Sequence, residues 1–377
     1  MLTFLAFTMD QGIGGHYYSL KALSEQYVDS KVVIIGHTKP RVKYDNLTFI
    51  SIRDNGYCGA FSLLYKIINV NDTLHCFDEH SFSFARVVSI FKNNPLVLTK
   101  CGGKPLRYYP RCYSISVFSK EDQEHFHNKN VSSYLIPNRI NRNEIMALVN
   151  ERTKDNLFFE RSFERRAICI ARVGRKYRKK ILSAINLSYK LKKLGHDLSV
   201  DVVGVLEDGH VLSELKDLCN YLSIQDRIFF HTDKKVTTDA VRWLPDFDFS
   251  IGTGRGAMEA MCLGVLTLAP VSNLDIPIFV DDNTFGSLFE KNFSERSVST
   301  LSESEALTKI SNLFTKSDFN RERFFYQNIF NEYFDILSAP KKYDEIYSKA
   351  QRQSFSGIVD VFCNFIYLKY IERQKLK

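Results

Sequence analysis

The chain has no run of apolar residues approaching the ~18–20 needed to span a bilayer. Its N-terminus lacks both a basic n-region and a small-residue cleavage site. Leu2–Phe7 is therefore expected as a first buried strand rather than a signal peptide, and the protein as soluble and cytoplasmic. Paired cysteine spacing is missing too. Cys58, Cys76, Cys101, Cys112, Cys169, Cys219, Cys262 and Cys363 are scattered without a C-x-x-C, mostly in apolar runs. That pattern fits reduced core thiols and argues against a disulfide framework or a structural zinc site. No nucleic-acid-binding signature occurs and the basic residues form no single stripe. The net charge of +8 then points to phosphorylated substrates or an acidic membrane surface.

What is present is ordinary globular material: 377 residues, 44% hydrophobic and 25% charged, enough for two domains with separate cores. Short β-rich runs recur at Thr3–Phe7, Val32–Gly36, Leu47–Ile52, Thr73–Phe77, Leu96–Lys100, Ser114–Phe118 and Ser133–Ile136. After a charged passage, Asn150–Arg166, they resume at Ala167–Arg172, Leu198–Gly204, Arg227–His231, Phe247–Ile251 and Val265–Leu268. Amphipathic stretches separate them. In the clearest, Ile181, Ala184, Ile185, Leu187, Leu191 and Leu194 share one side of a helical wheel. Alternating β and α predicts an α/β fold with parallel sheets covered on both faces. The polar passage divides the chain into two doubly wound, Rossmann-like domains, 1–150 and 165–340, with ligand expected in a cleft between them.

Phe247–Pro270 is the most informative stretch. A strand pattern runs into Gly252-Thr253-Gly254-Arg255-Gly256, followed by the helix formers Ala257–Met261 and a stop at Gly264. Strand, glycine loop and helix N-terminus together make an anion site, because unpaired amides and the helix dipole face the ligand. Arg255 adds a full charge, and Glu259, expected in the first turn, can accept hydrogen bonds from ligand hydroxyls. The plainer reading keeps the glycines for the turn and the glutamate for the dipole. A second glycine turn, Gly12-Ile13-Gly14-Gly15-His16, precedes a helix expected over Tyr17–Tyr27. It departs from a dinucleotide fingerprint, since Tyr17 stands at the third glycine position and no acidic residue ends the second strand. Backbone approach to a phosphate or sugar at Gly14-Gly15 and a purely turn-forming role both fit.

Arg172, Arg175, Lys176, Arg178, Lys179 and Lys180 crowd one strand-to-helix turn. Charge runs are usually solvated faces; here the run leaves a strand's carboxyl end, where α/β proteins bind ligand and where a pyrophosphate leaving group would need neutralising. Asp246-Phe247-Asp248 has the D-x-D spacing of metal-dependent sugar transferases, but in the second half of the chain, where chance is the better account. His75, Asp78 and His80 lack a helical i, i+4 histidine pair, so a core or cleft-edge role is preferred to metal binding.

Taken together these stretches resemble the family-4 retaining glycosyltransferases of the GT-B fold. Leu135-Ile136-Pro137-Asn138-Arg139-Ile140 looks like the "IPNG(V/I)D" element. Ile170-Ala171-Arg172 with Lys176 looks like "GR…K", Val202-Val203-Gly204 like "IVG", and Glu259-Ala260-Met261 with Gly264 like the "EAMA.G.PV" helix. Gly14-Gly15 and Ser119-Lys120-Glu121 fit more loosely. Thr99-Lys100-Cys101-Gly102-Gly103 and the GTGRG loop are similar to a subgroup among bacterial capsule and O-antigen transferases.

The resemblance implies a metal-independent, cofactor-free transfer of a hexose, with retention, from a nucleotide diphosphate sugar to a lipid-linked glycan acceptor, in the synthesis of surface polysaccharide or lipopolysaccharide. It assigns Arg172 and Lys176, with Arg178 as competitor for the second place, to the diphosphate, and Glu259 to the ribose. The nucleotide sugar is expected at Gly14, Gly15, Gly252, Thr253, Gly254, Arg255 and Gly256. His16, Cys101, Gly102, Gly103, Asn138 and Arg139 are the acceptor-side candidates. Family members carry a further glutamate at the position of Ile251 and a histidine near Lys100, so the donor sugar is not inherited. A GT-B nucleotide-sugar epimerase and a degenerate scaffold subunit are the alternatives. The C-terminal residues 345–377 are expected to return to the N-terminal domain through an apolar stripe of Ile358, Val359, Phe362, Phe365, Ile366 and Tyr370. That packing is preferred to membrane contact for the tail, while the overall basicity of the chain suits loose docking on an anionic inner leaflet.

Overall fold

The computed structural model describes residues 1–9, 14–103, 112, 114–151 and 162–352, with 359, 362, 363, 366, 367 and 370 beyond them. Its contacts form two units, Met1–Arg139 with Asp335–Lys377, and Ile140–Phe334. The polar passage suggests a boundary near residue 150, whereas the contacts divide the chain between Arg139 and Ile140. Helix Arg142–Asn150 is the reason. Its Arg142 guanidinium lies 4.6 Å over the Phe330 ring and donates to Asn331 at 2.8 Å, both in the second unit.

The first unit is built on β1 (Leu2–Thr8), β2 (Lys31–Gly36), β3 (Leu47–Ser51), β4 (Thr73–Cys76), β5 (Leu96–Lys100), β6 (Ile115–Val117) and β7 (Ser133–Leu135). All pair in parallel, in the order β3-β2-β1-β4-β5-β6-β7. Alternate residues enter different cores: Leu5, Phe7, Val33 and Ile35 on one face, Phe4, Ala6, Val32 and Ile34 on the other. Burial on both faces is why these strands read as continuous apolar runs.

Helix Ala339–Ser348 completes the second of those cores with Ala339, Tyr343 and Ile346. A buried polar chain fastens it. Tyr347 hydroxyl lies 2.8 Å from His75 Nδ1, Thr99 Oγ1 lies 2.6 Å from His75 Nε2, and Ser116 Oγ is 2.5 Å from Thr99 Oγ1. The apolar stripe further on does not share this burial: Val359, Phe362, Ile366 and Tyr370 are exposed. The buried members that the returning chain adds to this core are Ile336, Ala339, Tyr343 and Ile346. Ile358 and Phe365 lie outside the described residues.

The second unit contains β8 (Arg165–Ile170), β9 (Leu198–Val203), β10 (Ile228–His231), β11 (Phe249–Ile251), β12 (Leu266–Ala269) and β13 (Ile278–Phe279). The order is β10-β9-β8-β11-β12-β13, parallel except for β13, which pairs antiparallel with β12. The chain winds outward from β8 to β10 and then crosses to β11. The direction of winding thus reverses between β8 and β11, and in the first unit between β1 and β4. Such switch points open a crevice at the strands' carboxyl ends. Among the described residues, no helix is long and apolar enough to cross a membrane.

Beyond β8 and β9 the two chains stay in contact. Val173 bridges Leu206 in parallel, and a Cβ on Gly204 would stand 1.9 Å from the Ala171 carbonyl oxygen. Backbone on backbone leaves nothing to yield. Gly204→Ala should therefore cost roughly 2–3 kcal/mol of stability; an unchanged urea midpoint would refute the close approach.

Burial pushes the His75 pKa down from 6.5 to about 3. The folded protein then refuses a proton that the unfolded chain accepts, so stability is full above pH 6.5 and declines as pH falls toward about 3. Gln at position 75 can still hydrogen-bond but does not titrate. Thermal melts across this window should show a shallower acid decline for His75→Gln than for the wild type, and parallel declines would exclude the histidine as the cause.

Candidate functional site

The β8–β11 ladder pairs Ala167 with Phe249 and Ile168 with Ser250. Continued in register, it sets Ala171-Arg172 and the loop Gly252–Gly256 side by side at the carboxyl ends of adjacent strands. These are the two stretches that the sequence marks for an anion, and both belong to the second unit.

Helix Arg255–Cys262 starts at Gly254, whose φ of +51° is one that side chains rarely adopt. Gly252 lies beneath that start, since a Cβ there would come 2.8 Å from the Ala257 nitrogen. The expectation of open glycine amides is corrected by their partners. Gly252 donates to Leu268 at 2.9 Å, Gly254 to Phe293 at 3.1 Å and Gly256 to Thr253 at 3.1 Å. Glu259 also stands deeper than expected: it is the fifth helical residue, outside the first turn. Four residues after Arg255, it meets that guanidinium, with Nε 2.6 Å from Oε1 in a largely buried pair. Burial raises the Glu259 pKa and the Arg255 charge opposes the rise.

The cation run is similarly engaged. Arg172 Nη1 lies 2.5 Å from Glu207 Oε1, and its Nη2 donates to the Tyr177 hydroxyl while the guanidinium carbon lies 4.7 Å over the Tyr177 ring. Arg175 pairs with Asp208 at 3.2 Å and Arg178 with Glu214 at 3.1 Å. Lys179 donates to the Ser272 carbonyl at 3.1 Å, and buried Lys180 to the Ile170 carbonyl at 2.8 Å. Lys176 is exposed, its ammonium 5.5 Å over the Tyr177 ring. An acidic segment, Glu207–Glu214, therefore balances every arginine of the run, which the local sequence does not reveal.

Residues not anticipated by motif join this end of the sheet. Glu295 accepts from the Lys180 amide, and burial raises its pKa against the pull of Lys180 and Lys179. Glu207 and Tyr177 hold Arg172. Gly174 gives Glu207 room: a Cβ there would come 2.8 Å from its Oε2 and 3.0 Å from its Cβ.

In the first unit, Gly14 caps helix Gly15–Ser24, and its carbonyl accepts from Tyr17 at 3.0 Å. His16 lies against Tyr17, ring centroids 3.8 Å apart. Ser19 on this helix donates to Asn138 Oδ1 at 2.6 Å, which brings the glycine turn and the Asn138 element into one neighbourhood. Residues 10–13 of that turn lie outside the described set. Arg139 is buried and donates to Asp335 at 3.3 Å and Ser338 at 2.8 Å, fastening the returning chain. Cys101 donates to the Phe77 carbonyl at 3.3 Å, where burial pushes its thiol up. Lys100, which motif reading passed over, folds back onto the carbonyls of Cys101, Gly102 and Gly103 at 2.6, 3.2 and 3.2 Å. This buried ammonium shapes the loop.

The D-x-D and histidine groups have structural work. Asp248 accepts from the Arg166 amide at 2.8 Å and pairs with Arg165 at 3.4 Å, at the amino end of β11 and away from the glycine loop. Both His75 nitrogens are engaged, and Asp78 accepts from the Phe7 and Ser81 amides at 2.7 Å each, capping helix Glu79–Lys92.

No protein-family model matches the sequence, and no curated protein does. Solved structures match nearly end to end. A glycosyltransferase from Rickettsia africae ESF-5 is 14% identical with a TM-score of 0.68, over 92% of this chain and 98% of its own. HepE of Anabaena in complex with UDP is 14% identical with a TM-score of 0.67, over 92% and 99%. The catalytic domain of starch synthase IV from Arabidopsis thaliana, bound to ADP and acarbose, is 14% identical with a TM-score of 0.55, over 92% and 98%. At such identity the likeness is one of fold, and the fold of this chain is that of the GT-B glycosyltransferases.

Proposed function

We propose that the protein is a glycosyltransferase that takes a sugar from a nucleotide diphosphate sugar and places it on a glycan acceptor. The observation that carries this reading is the β8–β11 register, which sets Arg172 beside the glycine loop and the start of helix Arg255–Cys262. A guanidinium and a helix N-terminus at one switch point suit a diphosphate. The fold supports the same reading, since HepE, similar in fold, has been crystallised with UDP, with UDP and glucose, and with UDP-glucose.

In this proposal the bond between the sugar's anomeric carbon and the diphosphate oxygen breaks as the bond to the acceptor oxygen forms. Arg172, helped by Lys176 or Arg178, stabilises the negative charge on the departing diphosphate. The acceptor proton passes to the departing phosphate oxygen on the same face, so configuration is retained and no side-chain base is required. Glu259 accepts from ribose hydroxyls. The reaction needs no metal and no further cofactor. Resemblance to capsule and O-antigen transferases supports a hexosyl donor, a lipid-linked acceptor in surface polysaccharide synthesis, and peripheral contact with the anionic inner leaflet.

A thermal-shift screen over nucleotide diphosphates and their sugars identifies the donor, because a bound ligand raises stability by mass action. With that donor, Arg172→Ala and Glu259→Ala should each lower transfer of radiolabelled sugar by on the order of 100-fold or more. Full activity in both variants would refute the assignment.

A further inference from the structure

Arg172 is held from two sides by partners of different kinds. Glu207 is a competitor: a carboxylate on Nη1 at 2.5 Å, partly exposed to solvent. Tyr177 is a companion: its hydroxyl accepts from Nη2 and its ring lies beneath the guanidinium, neutral contacts that an incoming anion leaves in place. The backbone fixes all three. Glu207 and Asp208 amides both donate to the Val173 carbonyl, at 2.9 and 3.1 Å, and the Tyr177 amide donates to Gly174 at 3.1 Å. Glu207 and Tyr177 are thus anchored to the same short segment that carries Arg172.

We propose that Tyr177 and Glu207 are positioning residues for Arg172, with Glu207 serving as a stand-in anion that the diphosphate displaces while Tyr177 keeps the guanidinium aimed. This rests on the glycosyltransferase reading and adds a mechanism of occupancy to it. No covalent step is involved: Nη1 exchanges a carboxylate oxygen for a phosphate oxygen, and Glu207 turns to water. The two residues therefore act on ligand affinity with opposite signs, whereas two merely structural residues would act with the same sign.

The test is calorimetric titration of the full chain with UDP and with ADP. Glu207→Gln keeps the side chain's size and removes its charge. It should tighten binding about two- to five-fold, the range that a partly exposed ion pair is worth. Tyr177→Phe keeps the ring and removes the hydroxyl, and should weaken binding about three-fold or more. Asp208→Asn, beside Glu207 but paired with Arg175, controls for the loss of a nearby negative charge and should change affinity less than Glu207→Gln. Melting curves confirm that each variant folds, and Glu207→Ala serves if the Gln variant does not.

Equal or weaker binding by Glu207→Gln overturns the inference while leaving the transferase reading intact. Equal tightening by Asp208→Asn reduces it to long-range electrostatics and overturns it likewise. A wild-type chain that binds neither nucleotide, nor any other in the screen, removes the transferase reading and this inference together.

Discussion

The parallel ladder between β8 and β11 is the constraint on which the second unit depends. Strands that neighbour one another in space but not in sequence leave a gap between their outgoing chains, because each connection departs to a different side. Arg172 follows one strand and Gly252 the other, and the Phe249–Ala167 pairing fixes their levels. If β11 slipped by one residue, Ile251 would exchange its buried face for the opposite one and the glycine loop would begin at the wrong height. The core protects that register: Phe249 and Ile251 are fully buried, and Asp248 clamps the strand's entry through the Arg166 amide.

Close approach beyond the strand ends converts that register into a rigid mouth. Gly204 lies against Ala171, Gly174 leaves room for Glu207, and Gly252 passes under the start of the following helix. A methyl group would meet backbone at Gly204 and Gly252, and the Glu207 side chain at Gly174. Gly204 and Gly252 are thus packing requirements first, and the loop amides of Gly252, Gly254 and Gly256 are spent on Leu268, Phe293 and Thr253. What remains for a ligand is the helix dipole and the cationic side chains, rather than a cradle of glycine amides.

Much of the fold was legible because both sheets are buried on two faces. Such strands appear as apolar runs bounded by polar turns, and twelve of those runs correspond to strands β1 to β12. β13 escaped because a two-residue antiparallel edge has no periodicity to read. The site was legible where chemistry is local, as in the crowding of cations after β8. It was opaque where partners come from afar. Nothing around Arg172 says that Glu207 will meet it, and nothing around Gly254 says that the Phe293 carbonyl will take its amide. Glu259 was misplaced by about a turn because the helix start depends on the φ of Gly254, which sequence does not give. The exposed residues Val359, Phe362, Ile366 and Tyr370 show the converse: helical spacing announces an apolar face without saying whether anything covers it.

Charge balance bears on which chemistry the second unit can perform. An epimerase needs an acid and a base able to trade protons near neutrality. The carboxylates at the β8–β11 mouth are already occupied, Glu207 by Arg172, Glu259 by Arg255 and Glu295 by the Lys180 amide. His231 lies 2.6 Å from Asp201, on the β9–β10 side of the sheet rather than at the glycine loop. Ile251 is sealed in the core and offers no further carboxylate there. Paired arginines are instead the equipment for receiving an anion: the pair is already desolvated in part, and a diphosphate brings more charge than the carboxylate it replaces. Transfer chemistry, which asks the protein to stabilise a leaving anion, therefore fits these side chains better than proton-shuttling chemistry does.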